Sequence, residues 1–336
     1  MRAAILESPR NLVIREVPDP VSPEGGLVLD IRAALTCGTD VKTYLRGHPM
    51  IPLPSPLGHE FSGVVSAVGR GCRGFKEGDE VMAVHSAPCL DCSYCRRKLF
   101  NLCEKIMDTK VLGAFAEKLA LPRPVVEQNA FHKSPAISFA QAAFLEPLAC
   151  VVHGLRICHA EAGESVVIFG AGPIGLLFTM LLKTMNCRVT VIEPHAGRRA
   201  MAEKLCADLV CESEKINCPQ FNGADLVIDC TGIGAVWTKT IDYVRKGGRV
   251  LLFGGVPAGS VAGFDATRLH YDEIALHGVF HFTPADVVQA AEHLTSGRLD
   301  PTPLITNWTG PTGLTGLKDA FEALARGEGI KYLVQP

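Results

Sequence analysis

From about Val151 onward, apolar runs of strand length alternate with segments of helix length. Strands that alternate with helices are joined by right-handed crossovers, which give a parallel sheet with helices on both faces. Six such strands complete a doubly wound sheet of the dinucleotide-binding type, so the pattern predicts an α/β domain over residues 151–283. The predicted strands are Val166–Phe169, Val189–Ile192, Asp208–Cys211, Leu226–Asp229, Val250–Phe253 and Ile274–Phe280.

The two ends of the chain carry a different pattern. The first third consists of short β-type segments between Gly and Pro residues, as in Leu12–Val17, Leu27–Leu35 and Phe61–Val68. After about Phe282 two helical segments and a final strand follow. They are Ala285–Thr295, Leu317–Ala325 and Ile330–Gln335. Because the middle sheet is already complete, we expect the tail to join the first domain, which then comprises residues 1–150 and 284–336.

Composition narrows the class of protein. A chain of 336 residues suits two domains, and an apolar fraction of 47% can fill two cores. A net charge of −2 with both signs interspersed argues against nucleic acid or a membrane surface as partner. The uncharged stretch Ser165–Leu182 approaches the length of a membrane helix, but it contains three glycines and Pro173. We therefore predict strand, turn and helix there, and no membrane span.

Thirteen cysteines are an unusually high and odd number. The segment Met1–Glu7 has too few consecutive apolar residues for a signal peptide, and a charged residue follows them too early. A secreted disulfide scaffold would be smaller and would need such a signal. We therefore expect a cytoplasmic protein with reduced thiols, some of which bind metal.

Four of the cysteines form a compact group in a charged, loop-like stretch, which we place at residues 86–104. Their spacing is Cys89-x2-Cys92-x2-Cys95-x7-Cys103. Four thiolates this close in sequence can converge tetrahedrally on one zinc and leave no position for water. A closed site of this kind predicts a structural zinc that folds a lobe with little core of its own.

A glycine-rich hexapeptide follows the first strand of the predicted α/β domain and opens a helix. It matches G-x-G-x-x-G: Gly170, Ala171, Gly172, Pro173, Ile174 and Gly175. Glycine is needed for the tight turn, for close approach of the backbone to a pyrophosphate, and for packing of the helix on the strand. The helix N-terminus then presents free N–H groups to the phosphates. This predicts a dinucleotide-binding loop.

The residue that ends the next strand favours NAD over NADP. Glu193 lies eighteen residues after Gly175, where a carboxylate can accept hydrogen bonds from the adenosine ribose hydroxyls. The same carboxylate would repel the extra phosphate of NADP. Arg198 and Arg199 favour NADP instead, because an arginine near that ribose can bind a 2′-phosphate, although the ordinary explanation of both residues is a solvated helix start.

A second set of metal-binding side chains is dispersed through the first domain. Cys37, His59, Glu60 and Glu146 provide a thiolate, an imidazole and one or two carboxylates, which suit a zinc with one exchangeable position. Zinc in such a site lowers the pKa of a bound hydroxyl group. Asp40 could hold the distal ring nitrogen of His59. Taken singly, each side chain has an ordinary explanation: Cys37 could be a buried thiol, His59 a loop histidine, and Glu146 a carboxylate at the start of a helix.

Taken in order, the motifs resemble the zinc-containing medium-chain dehydrogenase/reductase superfamily over essentially the whole chain. The alcohol dehydrogenase branch has a second cysteine where this chain has Glu146, and that substitution is similar to the sorbitol, polyol and threonine dehydrogenase branch. The matching segments are Cys37-Gly38-Thr39-Asp40, Gly58-His59-Glu60, the four-cysteine lobe, Glu146-Pro147-Leu148-Ala149, the glycine-rich loop, Asp229-Cys230-Thr231-Gly232 and Gly247-Gly248-Arg249-Val250.

The resemblance implies an α/β architecture in which a GroES-like β-rich catalytic domain, formed by both chain ends, surrounds an inserted Rossmann domain. It implies two zinc ions per chain, one catalytic and one structural. Cys37 and His59 would be direct ligands, while Glu60 and Glu146 would share the remaining positions, directly or through water. Thr39 would take the proton from the substrate hydroxyl.

The implied reaction transfers a hydride between a secondary alcohol and NAD(P). The alcohol would be a polyol, a sugar alcohol or an amino alcohol such as threonine, and the protein a homodimer or homotetramer. Lys42 stands where the family usually has a relay histidine, so the proton route departs from the family pattern, and His48 is an alternative relay group. The expected lining of a cleft between the domains includes Tyr44, His48, Phe115, His270 and His281.

Three other functions are compatible with parts of the pattern. A zinc-free quinone or enone reductase of the same superfamily would keep the glycine-rich loop but would not need the metal-binding residues. A catalytically silent, NAD-binding relative would be consistent with Lys42. A zinc-finger protein that binds nucleic acid would explain the four cysteines, but the near-neutral charge argues against it.

Overall fold

The computed structural model describes residues 1–212, 223–307, 310 and 313–336. It divides into two units, of which one comprises Met1–Ala149 with Phe282–Pro336 and the other comprises Cys150–His281. Among the described residues, no helix is both long and apolar enough to span a membrane. In agreement with this, the uncharged stretch after Ser165 forms a strand, a turn and a helix.

The first 157 residues form eight strands and five helices, with a 3₁₀ turn at Phe100–Leu102. The strands are β1 (Arg2–Ser8), β2 (Asn11–Glu16), β3 (Leu27–Leu35), β4 (Ser55–Pro56), β5 (Glu60–Val68), β6 (Glu80–Ala83), β7 (Lys118–Leu121) and β8 (Ala130–His132). The helices are α1 (Gly38–Arg46), α2 (Ser93–Arg96), α3 (Arg123–Asn129), α4 (Phe139–Ala142) and α5 (Leu145–Ile157).

The second unit contains the predicted parallel sheet. Its elements are β9 (Ser165–Phe169), α6 (Pro173–Thr184), β10 (Arg188–Ile192), α7 (Ala196–Lys204), β11 (Leu209–Cys211), β12 (Ala224–Asp229), α8 (Gly234–Lys239), β13 (Val244–Leu252), α9 (Ala266–Tyr271) and β14 (Ala275–Gly278), with a 3₁₀ turn at Thr240–Tyr243. The strand order is β11-β10-β9-β12-β13-β14, and every pairing is parallel. This confirms the doubly wound α/β fold.

One strand of this sheet is longer than its sequence pattern indicates. β13 begins at Val244, whereas the apolar run that predicts it begins at Val250. Gly247 and Gly248 interrupt the apolar pattern, and the pairing with β12 shifts register between Ala224 and Leu226. A register shift with glycine accommodates an irregular strand that hydrophobic periodicity does not detect.

The tail adds α10 (Pro284–Thr295), α11 (Leu317–Ala325) and β15 (Leu333–Val334), with 3₁₀ turns at Thr302–Leu304 and Gly313–Gly316. β15 pairs antiparallel with β3, so the tail completes the sheet of the first unit. The final strand is shorter than predicted. Its expected first half bonds to other segments instead: the Tyr332 N–H donates to Thr36 Oγ1 (2.8 Å) and the Ile330 N–H to Thr306 Oγ1 (2.8 Å).

The six-stranded antiparallel sheet of the first unit has the order β15-β3-β5-β6-β8, with β7 also paired to β3. β3 and β5 are antiparallel, and their register places Leu35 opposite Glu60. The end of β3 and the start of β5 therefore lie side by side. This brings Cys37, two residues beyond β3, close to His59, which immediately precedes β5.

The core of this unit contains two side chains that we expected in a substrate cleft, and that prediction is wrong. Tyr44 and Phe115 are fully buried, and each ring contacts Phe321. The Tyr44 hydroxyl donates to Glu322 Oε1 (2.7 Å). Burial and this carboxylate raise the pKa of Tyr44 to about 12. Tyr44 is thus a core residue whose polar atom is satisfied within the unit.

Candidate active site

The four-cysteine lobe brings its sulfur atoms together as the spacing predicts. The Sγ atoms of Cys89, Cys92, Cys95 and Cys103 all lie within 4.8 Å of one another. Cys92 precedes α2, Cys95 lies within it, and Cys103 ends the adjacent 3₁₀ turn. The lobe has a small core of its own, in which Cys95, Cys103 and Ile106 are buried.

Backbone N–H groups support negative charge on these sulfurs. Cys89 N–H donates to Cys103 Sγ and Cys92 N–H donates to Cys89 Sγ, each at 3.3 Å. The backbone N–H of Cys95 is the largest influence that lowers the pKa of Cys92, to about 6, whereas burial raises the pKa of Cys95 to about 12. Four converging sulfurs with N–H···S bonds fit a tetrahedral zinc in a closed site.

A second cluster of donor atoms lies where β3 and β5 meet. Ligand atoms of Cys37, His59 and Glu60 lie within 4.8 Å of one another. Cys37 caps the N-terminus of α1, where its Sγ accepts the Thr39 N–H at 3.5 Å. His59 and Glu60 are buried, and Cys37 is half-buried. A thiolate, an imidazole and a carboxylate are a donor set that fits zinc.

Asp40 joins the two segments that carry these donors. Its carboxylate accepts the Cys37 N–H and the Gly58 N–H, both at 3.3 Å, and its Oδ1 lies 3.3 Å from His59 Nδ1. Burial opposes protonation of His59, but Asp40 and Cys37 together raise its pKa well above the usual value. With Nδ1 held by Asp40, the other ring nitrogen of His59 is the one available to a metal.

Glu60 has a partner that the sequence did not point out. Lys331 lies in the tail, and its Nζ donates to Glu60 Oε1 (2.7 Å), to Glu60 Oε2 (2.5 Å) and to the Thr36 carbonyl (2.9 Å). Glu60 is 0% exposed and Lys331 is 1% exposed. Burial raises the pKa of Glu60, and Lys331 opposes that rise. A lysine inside the apolar run Ile330–Val334 was the available signal for a buried ion pair.

Glu146 lies on the first turn of α5, outside the three-residue donor cluster but close to it. Its Oε1 lies 3.5 Å from Nδ1 of His85, and the His85 ring is 5.2 Å from the His59 ring. His85 is 4% exposed and also contacts Phe282. The sequence analysis did not identify His85. The only feature of the sequence that could have drawn attention to it is its position between β6 and the first cysteine of the lobe.

The candidate proton-relay residues lie on α1 and in the loop after it. Thr39 is half-buried in the first turn, where its N–H contacts the Cys37 sulfur, and Lys42 is exposed three residues later. His48 is half-buried and accepts the Met50 N–H at Nδ1 (3.2 Å). Burial and neighbouring cations lower the pKa of His48.

The glycine-rich loop lies between β9 and α6. Gly170 has a φ of 94°, a conformation that favours glycine. A Cβ atom on Gly175 would lie 1.9 Å from the Gly170 carbonyl oxygen, so the helix can approach the strand only with glycine there. Gly172 caps α6 without a side-chain hydrogen bond, and Pro173 and Ile174 begin the helix. The first N–H groups of α6 are thus available to an anion.

Glu193 lies beside this loop. Its Oε2 accepts the Ala171 N–H (2.7 Å), its Oε1 accepts the His195 N–H (2.8 Å), and the residue is 3% exposed. Arg199 is bound to the backbone carbonyls of Glu193 and Pro194. By contrast, Arg198 Nε is buried and has no hydrogen-bond partner among the residues that the structure describes.

Two family descriptions match the chain, one within the first structural unit and one that covers most of the second unit and the start of the tail. Residues 23–129 match the alcohol dehydrogenase GroES-like domain, and residues 173–296 match the zinc-binding dehydrogenase family. The first match includes Cys37, His59, Glu60 and the four-cysteine lobe, and the second begins in the glycine-rich loop.

Similar proteins extend these matches to the whole chain. A protein of Aspergillus clavatus named "Probable D-xylulose reductase A" is 30% identical, with 95% of this chain and 92% of that protein covered. A sorbitol dehydrogenase of Halalkalibacterium halodurans is 28% identical, with 97% and 96% covered. A Sinorhizobium meliloti zinc-binding dehydrogenase structure, bound to NADP, has a TM-score of 0.89 and 27% identity, with 100% and 99% covered. The chain belongs to the zinc-type alcohol dehydrogenase family, in its polyol dehydrogenase branch.

Proposed function

We propose that this enzyme oxidises a secondary hydroxyl group of a polyol, a sugar alcohol or an amino alcohol and transfers the hydride to NAD, or catalyses the reverse reduction. The observation that carries the proposal is that ligand atoms of Cys37, His59 and Glu60 lie within 4.8 Å of one another in largely buried surroundings. The same chain also has the glycine-rich loop at the start of α6. Structural roles for these side chains do not explain why three different ligand types meet at one point.

Cys37 and His59 are the proposed direct ligands of the catalytic zinc, and Glu60 and Glu146 share the remaining positions. Zinc bound there supplies Lewis acidity, which lowers the pKa of a hydroxyl group. Asp40 orients the His59 ring, Lys331 holds the Glu60 carboxylate, and His85 faces the Glu146 carboxylate. The lobe of Cys89, Cys92, Cys95 and Cys103 holds the proposed second, structural zinc.

Thr39 is the proposed acceptor of the substrate hydroxyl proton. Two observations support this role: the Thr39 backbone N–H donates to the Cys37 sulfur, and Asp40 accepts the Cys37 N–H at the start of the same helix. Beyond Thr39, the proton passes to Lys42 or to His48. A residue that accepts a proton in catalysis must lie within hydrogen-bond distance of the group that releases it.

NAD is the proposed cofactor, bound at Gly170, Gly172, Pro173, Ile174 and Gly175, with the adenosine ribose at Glu193. The Glu193 carboxylate is held beside the loop by two backbone N–H groups, an orientation in which it can also face ribose hydroxyls. Arg198 has a guanidinium nitrogen without a partner in the described part of the chain, and it is the residue that would bind the 2′-phosphate of NADP. We further propose a homodimer or homotetramer, on the family resemblance alone.

The test of the reaction is the rate of cofactor reduction by the zinc-loaded protein with polyols, threonine and simple secondary alcohols. We expect one of these classes to be oxidised, and Cys37→Ser to lower the rate at least about 100-fold. Cys206→Ser, at an exposed cysteine, is the matched control and should keep the rate. Oxidation that survives Cys37→Ser, or enone reduction without zinc, would support the zinc-free reductase instead.

Cofactor choice has its own test. Glu193→Gln keeps the size of the side chain and removes its charge, so the preference for NAD over NADP should fall about tenfold. The measurement is the ratio of kcat/KM for the two cofactors. A wild-type protein that prefers NADP would contradict the proposed role of Glu193 and support Arg198 as the selecting residue.

A further inference from the structure

The turn after β12 contains Asp229-Cys230-Thr231-Gly232, a segment to which the proposed function assigns no role. β12 is the neighbour of β9 in the parallel sheet, and Asp229 lies opposite Phe169, the last residue of β9. The order of the strands reverses at this point, with β10 and β11 on one side of β9 and β12, β13 and β14 on the other. In doubly wound sheets, ligands bind in the crevice at such a point, beyond the carboxyl ends of the strands.

The side chain of Asp229 holds this turn through four hydrogen bonds. Asp229 is 0% exposed. Its Oδ1 accepts the Thr231 hydroxyl (2.6 Å), and its Oδ2 accepts the N–H groups of Thr231 (3.2 Å) and Gly232 (3.1 Å) and the indole N–H of Trp237 (2.9 Å). The Thr231 hydroxyl oxygen in turn accepts the Ile233 N–H (3.1 Å). One buried carboxylate therefore ties the turn, and helix α8 after it, to the end of β12.

The turn packs against two neighbouring loops. A Cβ atom on Gly170 would lie 3.2 Å from the Thr231 methyl carbon, so the Thr231 side chain packs against the glycine-rich loop. A Cβ atom on Gly254, in the turn after β13, would lie 2.2 Å from the Gly232 nitrogen. The turn after β12 is thus fitted closely between the glycine-rich loop and the turn after β13, at the edge of the sheet where the cofactor pyrophosphate is proposed to bind.

A second hydrogen-bonded carboxylate lies at the opposite end of β12. Asp225 Oδ2 accepts the N–H (2.8 Å) and the hydroxyl (2.6 Å) of Ser165, and its Oδ1 accepts the Arg245 Nε–H (2.6 Å). Asp225 and Ser165 lie at the amino ends of β12 and β9. Because all strands of a parallel sheet have their carboxyl ends at one edge, Asp225 fastens the edge away from the crevice. Of these two carboxylates, Asp229 is the one beside the glycine-rich loop.

We propose that Asp229 is a positioning residue for the dinucleotide cofactor. It fixes Thr231 and Gly232 as a wall of the crevice beside the glycine-rich loop, and Trp237 supports the carboxylate from α8. A loop that is ordered before binding loses less conformational entropy when the ligand binds, so the fixed turn strengthens cofactor binding. This inference rests on the proposed function, because the ligand is the cofactor assigned there to the glycine-rich loop. Asp229 acts through the turn and does not itself touch the cofactor.

The test is the dissociation constant of NADH or NADPH, whichever the wild type binds more tightly, measured by calorimetry on the zinc-loaded protein without substrate. Asp229→Ala leaves four donors without their acceptor, so the cofactor should bind about tenfold or more weakly. Asp229→Asn keeps an oxygen acceptor and should retain most of the affinity. Trp237→Phe removes one donor and should weaken binding about threefold, and it tests the inference even if Asp229→Ala does not fold.

Asp225→Ala is the matched control, because it removes a carboxylate with several donors from the other end of the same strand. It should lower the free energy of unfolding but leave the cofactor dissociation constant unchanged. Equal weakening of cofactor binding by Asp225→Ala and Asp229→Ala would overturn the inference, as would wild-type affinity in both Asp229→Ala and Trp237→Phe. A wild-type protein that binds neither NADH nor NADPH would contradict the proposed function and the inference together, whereas normal wild-type binding with unaffected variants would contradict the inference alone.

Discussion

The two candidate zinc centres lie in one structural unit and are built in opposite ways. The four-cysteine lobe takes all its donors from one short segment, Cys89 to Cys103, and its small core is made largely of the donors themselves. The second centre takes Cys37 from the end of one strand, His59 and Glu60 from the start of another, and Glu146 from a helix. A local site can thus form from its own segment, whereas the dispersed site needs the sheet to be in register.

The partners of the donors differ as well. Around the lobe, the sulfurs are supported by backbone N–H groups. Around the dispersed centre, the Cys37 sulfur also accepts a backbone N–H, but the other three donors contact charged or ionisable side chains, with Asp40 at His59, Lys331 at Glu60 and His85 at Glu146. Backbone donors suit a site that is closed and static. Side-chain partners orient each donor individually, and a site that binds a substrate also keeps one coordination position open.

The largest effect is expected from opening the lobe. Cys95→Ser removes a buried ligand, so the structural zinc should be lost and the free energy of unfolding should fall by several kcal/mol. Chemical denaturation of the zinc-loaded protein measures this change. Cys187→Ser is the control, because Cys187 is equally buried but belongs to no donor cluster among the described residues. Equal stability losses in both variants would contradict a structural zinc.

A somewhat smaller effect is expected from breaking the buried ion pair of the dispersed centre. Lys331→Met leaves the Glu60 carboxylate buried without its cation, which should cost about 3–5 kcal/mol of unfolding free energy. Lys118→Met removes a lysine whose pair with Asp30 is partly exposed, and it should cost less than about 1 kcal/mol. If the two variants were equally stable, Lys331 would not be the residue that balances Glu60.

The smallest of the three effects is expected at Asp40. Asp40→Asn keeps the shape of the side chain but loses the charge beside His59 Nδ1, so zinc affinity of the dispersed centre should fall about 10- to 100-fold. Competition with a chelator measures this affinity. Asp91→Asn, at an exposed residue of the lobe paired with Arg96, should change neither centre. Release of the lobe zinc by Asp40→Asn would show that the two centres are not independent.

The two centres also differ in how much of their structure can be predicted from the sequence. The lobe and the glycine-rich loop depend on spacing within one segment; the four sulfur atoms of the lobe lie within 4.8 Å of one another, and α6 begins in the loop. Hydrophobic periodicity predicts the parallel sheet, and all six predicted strands are present in it. Cys37, His59 and Glu60 converge because the register of β3 and β5 brings them together. Periodicity does not give that register, and for this centre a family resemblance had to supply it.

What the sequence did not indicate are contacts between segments far apart in the chain. Lys331 and Glu60 are 271 positions apart in the chain, and the pairing of the tail with β3 helps to bring them together. From the sequence, Tyr44 and Phe115 are candidates for lining a substrate cleft, yet both are buried and contact Phe321 of α11 in the tail. Packing between distant elements decides these positions, and local pattern carries no information about it.

The most direct test of the account is the zinc content per chain of the wild type, Cys37→Ser and Cys95→Ser, measured by elemental analysis together with activity. We expect two zinc ions per chain in the wild type and one in each variant. Cys37→Ser should remain as stable as the wild type but lose activity, whereas Cys95→Ser should lose stability first. One zinc in the wild type, or a Cys37→Ser variant that retains both zinc and activity, would contradict the assignment of two centres with separate roles.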